Sequence, residues 1–162
     1  MFETAAIDTA DKGQFYRELA EQAASLFHDE PDAIANAANL SALLFEQMPD
    51  LNWAGFYFLK SPDELVVGPF QGKPACVRIK VGKGVCGTAV QRKQSILVED
   101  VDAFPGHIAC DSASRSELVV PLIDGDKVIG VIDLDSPGIA RFDAADQAGI
   151  EAIAKLYVEA CA

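Results

Sequence analysis

The residues of this chain that could do chemistry are concentrated between Gly82 and Asp135. That stretch opens on Gly82-Lys83-Gly84-Val85-Cys86-Gly87-Thr88-Ala89, passes through Gly106-His107-Ile108-Ala109-Cys110-Asp111 and closes on Val131-Ile132-Asp133-Leu134-Asp135. Cysteine thiolates are nucleophiles with reversible redox chemistry, and clustered carboxylates repel one another, so at least one keeps a proton it would otherwise lose. Together they outline a thiol-based active site with an acid to protonate a leaving oxygen.

Cys110 lies in an irregular segment from Asp100 to Ser114 that contains Pro105 and Gly106. Such long connections are usually functional or disordered, and a loop thiol can reach first a substrate and then a second sulfur, as a redox cycle requires. Cys86 falls in the first turn of a short helix, where the dipole favours a thiolate and makes it a rival nucleophile. The glycines around it equally suit backbone N–H groups approaching a carboxylate. For either cysteine the alternative is a buried, inert thiol. His107, three residues before Cys110, invites a Cys-His pairing with imidazole as base, although its reach in an irregular loop is not set by spacing. The remaining cysteines are Cys76 and Cys161, and successive gaps of ten, twenty-four and fifty-one residues lack the close pairs of a zinc site, so no metal is expected.

Asp133 and Asp135 occupy alternate positions of a strand and leave the same face, shared with Ile129 and Val131. In the preceding strand Leu118, Val120 and Leu122 form one apolar face, with Glu117 and Val119 on the other. A hairpin loop of odd length, Asp124-Gly125-Asp126, aligns the apolar faces and sets Glu117 beside the two aspartates; an even loop would mix them. A solvated edge face is the alternative, but interleaved Val119, Ile129 and Val131 are an odd composition for water. Other acids of the cluster would then hold an ammonium group.

The elements that must position these groups follow from periodicity. Phe15, Leu19, Ala23, Leu26 and Phe27 recur at helical spacing, so a helix runs from Gln14 to Phe27 and places His28 at its C-terminal end, a structural role. A second helix begins near Pro31, buries Ile34, Ala37, Ala38, Leu44 and Phe45, and stops at Pro49. Strands are predicted at Trp53–Leu59, Glu64–Val67, Ala75–Val81, Gln94–Glu99, Ser116–Ile123 and Lys127–Asp135. In the third, Ala75, Val77, Ile79 and Val81 face the core while Cys76 points away with Arg78. Val85–Arg92 is a short helix, and Asp143 caps a last one carrying Ile150, Ile153, Ala154, Tyr157 and Val158, with Cys161 at its frayed end. Trp53 and Tyr57 leave one face of the first strand on either side of Gly55: aromatic core, or for Trp53 a wall against a ligand's methyl or thioether group. The expected architecture is α+β, an antiparallel sheet with helices on one face and a loop-covered ligand pocket on the other.

A chain of 162 residues suits one domain, here residues 1–162, without a staple. The net charge of −12 comes without any basic run, which argues against nucleic acid and anionic membranes as partners. The N-terminal Met1-Phe2-Glu3-Thr4 has no basic region followed by an apolar one, and no apolar run reaches the length of a span, so a soluble, cytoplasmic protein with reduced thiols is expected.

Leu51-Asn52-Trp53-Ala54-Gly55-Phe56-Tyr57, Gly68-Pro69-Phe70-Gln71-Gly72, Glu99-Asp100-Val101 and Ser116-Glu117, with the three motifs above, resemble the free methionine-R-sulfoxide reductases, enzymes built on a GAF domain. The resemblance covers most of the chain. It implies a GAF fold and reduction of free L-methionine R-sulfoxide with thioredoxin as the usual electron donor, no metal or organic cofactor, and it allows for a homodimer. Carried onto this sequence, it implies Cys110 as nucleophile and Cys76 as principal resolving thiol, with Cys86 an alternative in either role. Glu117, Asp133 and Asp135 match the substrate-binding carboxylates, and Trp53 the aromatic wall. Two other classes compete: a non-catalytic GAF sensor would use the same pocket for a small effector, and a thiol redox sensor or peroxidase would need the cysteines without the acids.

Overall fold

The structure is a computed structural model that describes residues 2–161. Helix α1 (Lys12–Phe27) starts where the Asp11 carboxylate accepts from the Gln14 amide, and it buries Phe15, Tyr16, Leu19, Ala23 and Phe27. Helix α2 (Ala33–Gln47) is capped in the same way by Asp32. Its buried face is Ala37, Leu40, Leu43 and Leu44, whereas Ile34, expected inside, is 57% exposed. Ala38 also turns to solvent, because the buried stripe runs through Asn36, Ala37, Leu40, Ser41, Leu43 and Leu44 and leaves both residues outside it.

Six strands follow: β1 (Trp53–Ser61), β2 (Glu64–Gly72), β3 (Arg78–Lys80), β4 (Ile96–Val98), β5 (Ser116–Asp124) and β6 (Lys127–Ser136). They form one antiparallel sheet in the order β3-β2-β1-β6-β5-β4. Alternation sorts their side chains. Ala54, Phe56, Leu118, Val120, Leu122, Ile132 and Leu134 pack beneath α1, α2 and α4 (Ala144–Ala160). Each fully buried leucine here contributes roughly 1.5–3 kcal/mol. Trp53, Tyr57, Leu65, Ile79, Val119 and Val131 face the other way, and there α3 (Gly84–Arg92) joins the loops as cover. The expected α+β layering is present, with one helix added to the loop side.

The β5–β6 hairpin reaches its expected alignment by a different route. Asp124 pairs with Lys127 across a two-residue turn, Gly125-Asp126, and Gly125 takes the positive φ of 67° that such a turn requires. That even loop alone would put Glu117 opposite Leu134. The register slips between Leu122, which pairs with Gly130, and Ile123, which pairs with Val128, so Ile129 is bulged out. Beyond the bulge Glu117 pairs with Asp135 and Val119 with Asp133, which places all three acids on the loop side.

The third strand is shorter than alternation predicts. Only Arg78–Lys80 pairs with β2 in the sheet, and Val77, expected to be buried, is 57% exposed. Pro74 offers no amide donor, and Cys76 is bonded to Cys110 rather than standing beside Arg78. The strand expected from Gln94 to Glu99 is likewise reduced to β4. No helix among the described residues is long and apolar enough to cross a membrane.

Candidate active site

The loop side of the sheet holds a narrow cavity. β1 contributes Trp53 and Tyr57, β5 Glu117, β6 Asp133 and Asp135, α3 Cys86, the long β4–β5 connection Cys110, and the short β2–β3 connection the stretch leading to Cys76. Six of the seven predicted site residues therefore line one pocket, and Cys76 is joined to it through its bond to Cys110, although the seven come from six separate segments.

Cys76 and Cys110 form a disulfide with a Cα separation of 5.5 Å, thirty-four residues apart in sequence. Both are half-buried in irregular backbone at the pocket's rim. The Cys76 side is fixed by Tyr57, whose hydroxyl donates to the Cys76 carbonyl at 2.9 Å. The Cys110 side is fixed by Asn52, whose amide donates to Asp111 Oδ2 at 3.0 Å and to Ser114 Oγ at 2.9 Å, while its own backbone N–H holds the Asp135 carbonyl at 2.9 Å. Asn52 therefore ties the cysteine loop to the start of the sheet. Neither contact has a local signal in the sequence, since the partner of Asn52 lies fifty-nine residues away.

Cys86 sits in the first turn of α3 and is only 4% exposed. Desolvation outweighs the helix dipole there. Burial pushes the thiol well above its ordinary pKa, and the negative charges of Asp133, Glu117 and Asp135 push it the same way. The helix can approach this closely because Gly87 lies flat against the Lys80 carbonyl, where any β-carbon would collide.

Glu117, Asp133 and Asp135 are 5%, 6% and 9% exposed, which excludes the solvated-face reading. Burial raises the Glu117 pKa to about 8, and Asp135 adds to the shift. Asp133 is raised by burial and then by Glu117, Asp135 by burial and then by Asp133. No lysine or arginine among the described residues pairs with any of them. Asp133 Oδ1 is buried without any hydrogen-bond partner. His107 Nε2 lies 3.5 Å from Glu117 Oε1, so its neighbour is the acid cluster. Burial lowers its pKa, which leaves a neutral imidazole near neutral pH.

Trp53, 3% exposed, stacks on Phe70 with centroids 5.0 Å apart and on Tyr57 at 5.8 Å, and its indole N–H donates to the Lys73 carbonyl. The result is a rigid aromatic wall standing over paired acids, since Trp53 lies opposite Asp135 and Gly55 opposite Asp133 across β1 and β6. Cys161 is half-buried at the end of α4, where Asn36 Nδ2 approaches its sulfur at 3.6 Å, remote from the pocket.

Such an arrangement can hold a small cation-bearing molecule against the acids, pack an apolar group on the indole and present a sulfur beside a redox-active pair. The pattern of the GAF domain matches residues 35–160. The free methionine-R-sulfoxide reductase of Escherichia coli is 53% identical over 140 residues, covering 86% of this chain and 84% of that protein. Among solved structures, a GAF sensor protein from Burkholderia vietnamiensis is 62% identical, with a TM-score of 0.89 over 93% of this chain and 95% of that one. The free methionine-R-sulfoxide reductase of Neisseria meningitidis, solved with its substrate, superposes with a TM-score of 0.95 at 42% identity, covering 99% of this chain and 96% of that one. With matches of this identity and extent, the chain belongs to the free methionine-R-sulfoxide reductase family of GAF-domain proteins.

Proposed function

We propose that this protein reduces free L-methionine R-sulfoxide to L-methionine. The observation that carries the reading is the set of three buried carboxylates without a lysine or arginine partner, lining the same pocket as Cys110 of the disulfide. Buried carboxylates without a cation are costly, so this pocket is complementary to an α-ammonium group. The Trp53 face suits the methyl and thioether end of the same molecule.

In the reduced enzyme the Cys110 thiolate attacks the sulfoxide sulfur while a protonated acid of the cluster donates to the sulfoxide oxygen. Glu117, with a pKa near 8, is protonated at neutral pH and suits that role. The oxygen passes to the Cys110 sulfur as a sulfenic acid and methionine departs as the thioether. The Cys76 thiol then attacks the sulfenic sulfur, water leaves, and the disulfide seen between the two cysteines results. A thioredoxin-type dithiol returns two electrons and two protons to open it, in keeping with a cytoplasmic setting. Cys86, with its thiol held protonated, serves as a neutral floor of the site and as the reserve thiol when Cys76 is absent.

The test is a thioredoxin-coupled assay with the separate R and S epimers of free methionine sulfoxide. Turnover confined to the R epimer is expected. Tight methionine binding without turnover of either epimer would instead make the chain a GAF sensor, and peroxide reduction without sulfoxide reduction would make it a peroxidase.

A further inference from the structure

We propose that Cys86, Glu117 and Asp133 form a binding site for a thiophilic divalent cation, with zinc as the biological candidate, on the floor of this pocket. The Cys86 sulfur and one carboxylate oxygen from each acid all lie within 4.8 Å of one another. Tetrahedral zinc holds thiolate sulfur at about 2.3 Å and carboxylate oxygen at about 2.0–2.2 Å, which sets its ligand atoms roughly 3.5 Å apart. Binding would therefore require the three atoms to draw together by about an ångström.

A second observation points to a ligand at the same place. Asp133 is 6% exposed, and outside the acid cluster its Oδ1 meets no backbone, hydroxyl or cationic donor. A buried acceptor in this state is expensive, and a cation satisfies it directly. The donor set then selects the ion. One soft sulfur with two oxygens disfavours magnesium and calcium, which take oxygen alone, and favours zinc or cadmium. With three protein ligands the fourth position remains open to water or a bound molecule. His107, 3.5 Å from Glu117 Oε1, is placed to donate to that carboxylate and orient it.

Cysteine spacing gave no hint of this site because only one of its ligands is a cysteine, and the three come from α3, β5 and β6. The site is also independent of the redox pair. With the Cys76–Cys110 disulfide closed, Cys86 is free, and Cys161 is the other free thiol among the described residues. Metal binding replaces the Cys86 proton with the cation, and the proton goes to solvent. It occupies the same acids that the proposed substrate would use, yet it does not depend on turnover of that substrate.

The experiment is a cadmium titration of the full chain in its disulfide form, read by the ultraviolet charge-transfer band of a cadmium–thiolate bond, with zinc as competitor. One equivalent is expected to bind and to be displaced by zinc. The band should vanish in Cys86→Ser, persist in Cys161→Ser, and require about tenfold or more cadmium in Asp133→Asn. Cys86→Ala serves if the serine variant does not fold, with circular dichroism as the check. A band that survives in both Cys86 variants, that is lost with Cys161, or that is unaffected by Asp133→Asn overturns the proposal.

Discussion

The hydroxyl of Tyr57 donates to the carbonyl of Cys76 at 2.9 Å, so a core aromatic of β1 fixes the backbone of a disulfide-forming cysteine. The ring also stacks on Trp53, which makes one residue both wall and anchor. Tyr57→Phe keeps the ring and removes the anchor. It should lower stability by about 0.5–1.5 kcal/mol, the usual net worth of one hydrogen bond. Release of methionine in a single turnover should be nearly unchanged, whereas closure of the disulfide should slow. Rapid-quench measurement of both steps checks this, and equal slowing of both would assign Tyr57 to substrate binding.

Replacing each cysteine of the pair separates attack from resolution. Cys110→Ser should abolish turnover, since a hydroxyl is far less nucleophilic than a thiolate near neutral pH. Cys76→Ser should still release one methionine per enzyme while losing most thioredoxin-supported cycling. Quench-flow on the two variants distinguishes them. A first-turnover burst from Cys110→Ser would move the nucleophile to Cys86.

How much of this was legible depended on whether a residue's role was set by its own strand or by remote burial. Asp133 and Asp135 follow from strand alternation, and Glu117 joins them in any register that keeps Leu118 opposite Leu134. The alignment of faces is as the sequence implies, although the register is not: a three-residue loop would pair Glu117 with Asp133, and the structure pairs it with Asp135. An odd loop and an even loop with one bulge have the same parity, and the demand to bury Leu118, Val120 and Leu122 selects either. Val77 was misplaced because alternation was carried past the point where strand pairing ends. The electronics of Cys86 were misjudged because the helix dipole is local, whereas desolvation and three carboxylates are contributed by the fold. Asn52 and Tyr57 hold loops through partners remote in sequence, and nothing in the chain's local pattern encodes that.

The acid cluster has a sign that titration can read. Glu117 has a folded pKa of about 8 against an ordinary 4.5, raised first by burial and then by Asp135. The native state therefore binds its proton more tightly than the unfolded chain. Its stabilising contribution is complete below the ordinary value and is lost progressively as pH rises through about 8. Asp143 acts in the opposite sense: Lys12 holds it at about 2, so its contribution is present above 3.8 and lost as pH falls towards 2. Thermal stability should accordingly decline between about pH 5 and pH 8, and Glu117→Gln should flatten that decline. A wild-type Tm that rises over this range would contradict the buried, cation-free state of the cluster.

The acids should also decide which form of the substrate is accepted. An α-ammonium pairs with Asp133 and Asp135, beside the protonated Glu117, whereas the amide nitrogen of a peptide or an N-acetyl group carries no charge. Removing one partner from a buried charged pair typically costs about 3–5 kcal/mol, which at 1.4 kcal/mol per tenfold is a discrimination of roughly a hundredfold to several thousandfold. The fall should appear in kcat/KM for N-acetyl methionine sulfoxide and for an oxidised peptide relative to the free amino acid, at the same sulfur configuration. Asp133→Asn and Glu117→Gln should each lower activity on the free amino acid by about a hundredfold. Asp133→Asn should also narrow its advantage over the N-acetyl form, because the charge that distinguishes the two would have lost its counterpart, whereas Glu117→Gln, which removes the proton donor, should slow both alike. Comparable kcat/KM values for all three substrates in the wild-type enzyme would show that the cluster does not read the ammonium, and the pocket would then be an open cleft serving oxidised proteins.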